Sequence, residues 1–164
     1  MNTANIHAEA ERILTLLSAT PIEIAQITDG YDEVQLQRAP APDAWSARDI
    51  VAHLRACATV WGRSIDRMLA EAHSTIRYVS PRGWIKRSDY LSHDFRTLLP
   101  SFAAERATLL ATLRPLDPRG WTRTATFTGT TLGKDATVLG YARRIADHEV
   151  GHLGQLRRTL ESLR

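Results

Sequence analysis

Residues 146–160 read ADHEVGHLGQLRRTL, and inside them His148-Glu149-Val150-Gly151-His152 fits the H-E-x-x-H pattern of zinc proteases. On a helix, residues four apart lie one turn from each other on the same face, a spacing suited to gripping one metal ion. Two histidines do not complete such a site, so the fold turns on where a third ligand comes from. In the metzincin pattern a glycine and a third histidine follow, three and six residues past the second histidine. Gln155 and Arg158 occupy those places. A thermolysin-like site needs a glutamate on a later helix. The sole carboxylate side chain after His152 is Glu161, carried away from it on the same continuous helix. A zincin protease is therefore rejected, and any third ligand must lie upstream.

Working back along the chain, helical periodicity dominates. The last helix is expected from about Asp135 to Leu163, burying Val138, Tyr141, Ile145, Leu156 and Leu160. The buried stripe passes through His148 and His152, which therefore face inward. Residues 115–134, PLDPRGWTRTATFTGTTLGK, are not helical, and the threonine-rich TATFTGTTL reads as a short hairpin around Gly129. A third helix is expected from about Asp89 to Leu113, with Leu91, Phe95, Leu98, Phe102, Leu109 and Leu113 inward and a kink at Pro100. Residues 74–89 form a long connection with a turn at Pro81-Arg82-Gly83.

Upstream of that connection, Ser46 and Asp49 form a capping box. They open a second helix whose apolar stripe is Ile50, Leu54, Cys57, Trp61, Ile65 and Met68. Residues 39–45, APAPDAW, are a proline-stiffened loop. The first helix carries Ile6, Ala10, Ile13, Leu14 and Leu17 inward, and Thr20-Pro21-Ile22-Glu23 reads as a fresh start that continues to Asp29-Gly30. Four long helices without regular strands imply an all-α fold, a four-helix bundle. Its connectivity is either up-down-up-down or includes a longer crossover. The 164 residues suit a single domain, 1–164.

Composition narrows the function classes. The chain is 43% apolar and 24% charged, ordinary for a globular protein. No apolar run is long enough to span a bilayer, and MNTANIHAEAERI is not a signal peptide, so a cytoplasmic protein with no membrane partner is expected. One cysteine, Cys57, excludes a disulfide framework and a multi-thiolate zinc site. The net charge is +3 and the pI about 9.4, but the cations are scattered among acids rather than grouped in a stripe. Nucleic acid is not the expected partner.

His53 lies three residues after Ile50 and four before Cys57, on the inward face of the second helix. His7, His73 and His93 read as surface residues. Three inward histidines, His53, His148 and His152, form a three-nitrogen set suited to one divalent ion such as Zn, Ni, Fe or Mn, with positions left open. Spacing alone leaves a second reading in place, since inward histidines are often hydrogen-bonded core residues. Glu149 reads equally as a base beside the metal or as a solvated acid on the helix flank. Asp147 belongs on the outer flank, and Cys57 reads as a small core residue.

The segments APAPDAWSARDIVAHLRACATVW (39–61) and ADHEVGHLGQLRRTL (146–160) together resemble the DinB/YfiT-like superfamily of bacterial four-helix bundles, and the likeness covers nearly the whole chain. That resemblance implies a divalent-metal site on His53, His148 and His152. It also implies a homodimer through bundle faces, and activities of the kind seen in relatives that are thiol-dependent transferases and isomerases. Bacillithiol, mycothiol and glutathione are the low-molecular-weight thiols in question. A three-histidine site can favour an incoming thiolate or make water acidic, so a thiol-dependent S-transferase or isomerase acting on a small-molecule substrate is the leading expectation. A metal-dependent hydrolase and a non-catalytic metal-binding stress-response protein are the alternatives. The loops at 39–45, 74–88 and 115–134 are expected to shape the pocket. Trp45, Trp84 or Trp121 would serve either as its walls or as core.

Overall fold

The computed structural model describes residues 2–129 and 135–163. Helix α1 (Thr3–Thr28) starts where the Asn2 side chain accepts from the Asn5 amide at 2.9 Å. It runs through Pro21 without a break, which corrects the expected restart. The buried stripe Ile13, Leu17, Thr20, Ile24 and Thr28 keeps helical spacing across the proline, so packing on both sides holds the helix together. The Thr20 hydroxyl does not cap a new helix but donates to the Leu16 carbonyl at 3.0 Å. The helix stops before Gly30, whose φ of +79° suits a residue without a Cβ.

A one-turn helix α2 (Glu33–Gln37) precedes α3 (Ala47–Ala70). The capping box at the start of α3 is as expected. Ser46 Oγ accepts from the Asp49 amide at 3.1 Å while Asp49 Oδ2 accepts from the Ser46 amide at 3.0 Å. Next come strand β1 (Ser74–Arg77), a short helix α4 (Pro81–Ile85) and a 3-10 turn at Tyr90–Ser92. Helix α5 (Phe95–Leu113) is capped by Asp94, so it begins about five residues later than Asp89, and Leu91 is exposed rather than inward. The single turn α6 (Pro118–Trp121) falls in a segment expected to contain no helix. Strands β2 (Thr124–Thr128) and β3 (Asp135–Thr137) lead into α7 (Val138–Glu161), which is capped by Thr137.

The expected hairpin exists as β2 paired antiparallel with β3, with Ala125 opposite Ala136. Its second strand lies further along than TATFTGTTL allowed, and Thr130–Leu132 of that stretch fall outside the described residues. Strand β1 adds to the other side of β2 in parallel, giving the order β1-β2-β3, a pairing the sequence did not suggest. Ile76, Ala125 and Phe127 point to the core, and Phe127 stacks on Tyr141 at 4.9 Å between ring centroids.

The four long helices form the bundle, but not in simple up-and-down order. α1 packs on α5 and α7, and α3 packs on α5 and α7, so α1 and α3 stand diagonally across the bundle, as do α5 and α7. Two apolar clusters fill the interior. One holds Ile13, Leu17, Trp61, Ile65, Leu113 and Ile145, and the other holds Ile24, Ile50, Leu54, Phe102, Leu156 and Leu160. The Ser46 cap fixes where α3 begins and hence which turn carries His53. Ser46→Ala is expected to lower stability by about 1–2 kcal/mol, read as a shift of the urea midpoint with an unchanged slope.

Candidate metal centre

The two apolar clusters meet at a polar layer. Along α3 it contains His53, along α5 Arg106, and along α7 His148, Glu149 and His152. His53 is buried, and His148 and His152 are partly buried. The three rings converge through their Nε2 atoms. His53 Nε2 lies 3.3 Å from His148 Nε2, and His152 Nε2 lies 3.1 Å from His148 Nε2. The His53 and His152 ring centroids are 4.9 Å apart. Nitrogens bound tetrahedrally at zinc-like distances stand about 3.3 Å apart, and both separations from His148 Nε2 match that spacing.

The tautomers and charge fit as well. His152 Nδ1 lies 2.8 Å from Gln155 Oε1; a proton on Nδ1 donated to that oxygen leaves the Nε2 lone pair facing its neighbours. Burial, reinforced by the charges of His152, His148 and Arg82, lowers the His53 pKa to about 3. Burial, with His152 and Arg144 adding to it, lowers His148 to about 4. His152 is also lowered, chiefly by burial. Neutral imidazoles are the ligating form.

Cys57 brings a sulfur 3.5 Å from His53 Nε2, and its Sγ with His53 and His148 forms a tight three-residue group. That group omits His152, whose Nε2 is nonetheless closer to His148 than the sulfur is to His53. Burial pushes the Cys57 thiol up to about 12, so it stays protonated at neutral pH and is the weaker donor.

Glu149 corrects one sequence reading. Its side chain is fully buried, not solvated, and accepts from Arg106 Nη2. It is absent from the walls of the cavity onto which the histidines open. Burial lowers Arg106 to about 10, which leaves it charged at neutral pH beside the Glu149 carboxyl group. Asp147 lies on the outer flank as expected and pairs with Arg12 at 3.3 Å.

The cavity has a volume of about 570 Å³. Trp45 and Trp61 wall it, each against the rings: Trp45 stacks on His152 with centroids 6.0 Å apart, and Trp61 meets His148 edge-on at 4.9 Å. Of the three tryptophans named from sequence, only Trp45 lines it; Trp121 is buried in the core and Trp84 packs beside it. Loops 39–45 and 74–88 contribute through Asp43 to Trp45 and through Tyr78 and Ser80 to Arg82. No described residue of 115–134 does so. Sequence reasoning missed Trp61 and Arg144 as lining residues, and it named the loop that holds Arg82 without singling that residue out. Arg144 sits one turn before His148, the same spacing that revealed His152.

A family model for the DinB superfamily matches residues 16–156. The chain belongs to the DinB superfamily. Among solved structures, YfiT from Bacillus subtilis superposes on this DinB-superfamily chain with a TM-score of 0.74 at 20% identity, covering 91% of this chain and 86% of that one. It is described as a probable metal-dependent hydrolase with an unusual four-helix bundle topology. No curated protein matches the chain. Among the described residues, no helix is long and apolar enough to cross a membrane.

Two outcomes follow from the buried groups. Below pH 6.5 the unfolded histidines take up protons that the folded His53 and His148 refuse, so the unfolded chain binds more protons. Metal-free protein is therefore expected to lose stability as pH falls from 6.5 towards 4, with no further contribution from these groups above that range. Urea midpoints of the metal-free protein across this range check it, and His53→Gln should flatten the slope. Removing one partner of the buried pair, Arg106→Ala or Glu149→Ala, is expected to cost about 3–5 kcal/mol. The double change Arg106→Met with Glu149→Leu should cost much less than the sum of the two singles, measured by the same melts.

Proposed function

We propose that the protein is a divalent-metal-dependent enzyme acting on a small molecule, with His53, His148 and His152 as the metal ligands. The observation that carries this reading is the convergence of three Nε2 atoms, at 3.1 and 3.3 Å, on the floor of a cavity large enough for a metabolite. A divalent ion held there would supply a Lewis acid that makes a bound thiol or water acidic at neutral pH.

The chain's own residues prepare that chemistry. Gln155 orients His152, and burial keeps all three rings neutral, so an ion's charge is left uncompensated and an incoming anion is favoured. Trp45 and Trp61 shield the rings from bulk water. Glu149 is engaged by Arg106 and lies off the cavity, so the assignment of a base to it has no support from its placement.

The leading reaction is transfer or isomerisation that uses a low-molecular-weight thiol, as the sequence resemblance implies. Hydrolysis is the second reading, favoured by the description of the YfiT structure as a probable metal-dependent hydrolase. Electrophile turnover that depends on added glutathione, bacillithiol or mycothiol supports the first; ester or amide cleavage without thiol supports the second. In either case activity should vanish on chelation and return with metal.

The test of the site itself is metal stoichiometry on untagged protein. Wild type should hold one divalent ion per chain. His53→Ala, His148→Ala and His152→Ala should each retain about a tenth or less under the same dialysis, because one of three bonds is lost. Cys57→Ser should keep its metal. Equal metal in wild type and His53→Ala, with circular dichroism confirming both folded, would overturn the assignment.

A further inference from the structure

Two guanidinium groups line the cavity, and neither has a carboxylate within ion-pair distance among the described residues. Arg144 lies on α7 one turn before His148, partly buried, with its guanidinium 5.5 Å from the Trp61 ring centroid. Arg82 lies on α4, exposed, 5.5 Å from the Trp45 ring centroid. Each of those rings also packs against the histidines, Trp61 on His148 and Trp45 on His53 and His152. The triad is thus flanked by two tryptophan–arginine pairs, one from α3 and α7 and the other from α4 and the loop before α3. Guanidinium groups without a carboxylate occur elsewhere, Arg63 over the Trp84 ring among them, but these two stand on the wall of the cavity onto which the histidines open. Among the described residues the one acid on the cavity wall is Asp43, which is exposed and paired with neither arginine.

We infer that Arg144 and Arg82 form an oxyanion-recognition pair, and that the substrate or thiol cofactor carries at least one carboxylate or phosphate held by these guanidinium groups. This rests on the reading of the cavity as the substrate site, but not on the metal. A guanidinium presents paired N–H donors that match an oxyanion in two bonds, and stacking over an indole restricts the fork before the ligand arrives. Walls of tryptophan lower the local dielectric and strengthen the attraction. With two guanidinium groups and one exposed acid on its wall, the cavity carries an excess of positive charge that selects anions whether or not a metal is bound. Arg144, half-buried beside His148, fixes the anion near the reacting end, and Arg82 supplies a second cation at the mouth.

The experiment uses metal-free full-length protein and tryptophan fluorescence, with succinate and inorganic phosphate as probes and succinamide as the neutral control. Succinate or phosphate should bind saturably, more weakly as salt is raised, and succinamide should not bind. Arg144→Gln should weaken binding about tenfold or more, Arg82→Gln less, and the double variant should abolish it. Arg144→Lys should recover part of the affinity, since it restores the charge but not the fork. Tighter succinate assigns a carboxylate, and tighter phosphate a phosphate. His53→Ala should bind the same anions while failing to retain metal, which separates this proposal from the metal site. Anion binding unchanged in the double variant, equal binding of succinate and succinamide, or no binding of either anion by folded wild type would overturn it.

Discussion

The ion pair between Arg106 and Glu149 sets the rotation of α7, and the rest of the site depends on that rotation. Arg106 reaches across the bundle's diagonal from α5 to a carboxylate that would otherwise be buried without a partner. Successive helical residues point about 100° apart. Glu149 turned towards α5 therefore turns His148 and His152 towards α3, where His53 waits. A small rotation of α7 would strand the carboxylate in apolar core and scatter the nitrogens together. The cost of one error is thus coupled to the other, and the apolar clusters above and below the layer hold the register along the axis.

The same layer separates two electrostatic roles. On the core side, opposite charges neutralise each other with almost no exposure, and Cys57 stays a thiol beside them. On the cavity side, neutral imidazoles sit beneath two arginines with no carboxylate bound to either. Desolvation is the largest cause holding His53 and His148 neutral, and Arg82 and Arg144 add to it. The cations that favour an anionic visitor therefore also keep the rings in the state that binds a metal.

Much of this was legible because α3 and α7 are strongly amphipathic and α3 begins at a readable cap, whereas α7 is capped by Thr137 rather than starting at the expected Asp135. Ser46 with Asp49 placed α3, and the stripe from Ile50 to Met68 located His53 by its phase alone. The same logic put His148 and His152 inward. What escaped the sequence was set by contacts distant in the chain. Strand β1 pairs with residues about fifty positions later, and its alternation spans only four residues. Pro21 suggested a break because local propensity was read without the tertiary packing that carries α1 across it. Glu149 did carry a phase signal, four residues after Ile145 and three before His152, but its partner lies on another helix, and an arginine in an apolar stripe reads as a surface residue. Arg144 did have one, since its four-residue spacing from His148 places it on the same face, and that spacing was not followed upstream.

The H-E-x-x-H string gains its meaning from this geometry. In a zincin the glutamate next to the first histidine acts beside the metal as general base, so its carboxylate must face the open coordination position. Here the corresponding carboxylate faces the opposite way, into the bundle, and serves an arginine. Five residues can therefore match while the functions of the glutamate are unrelated: catalytic in one fold, orienting in the other. The distinction comes from the helix on the far side of the core. A helix that packs in a bundle must bury its full inner face, so a polar residue next to a ligand is drawn inward and needs a partner there. In the DinB-superfamily chain that partner is Arg106, and its pull on Glu149 is what leaves the two histidines free to meet a third from α3.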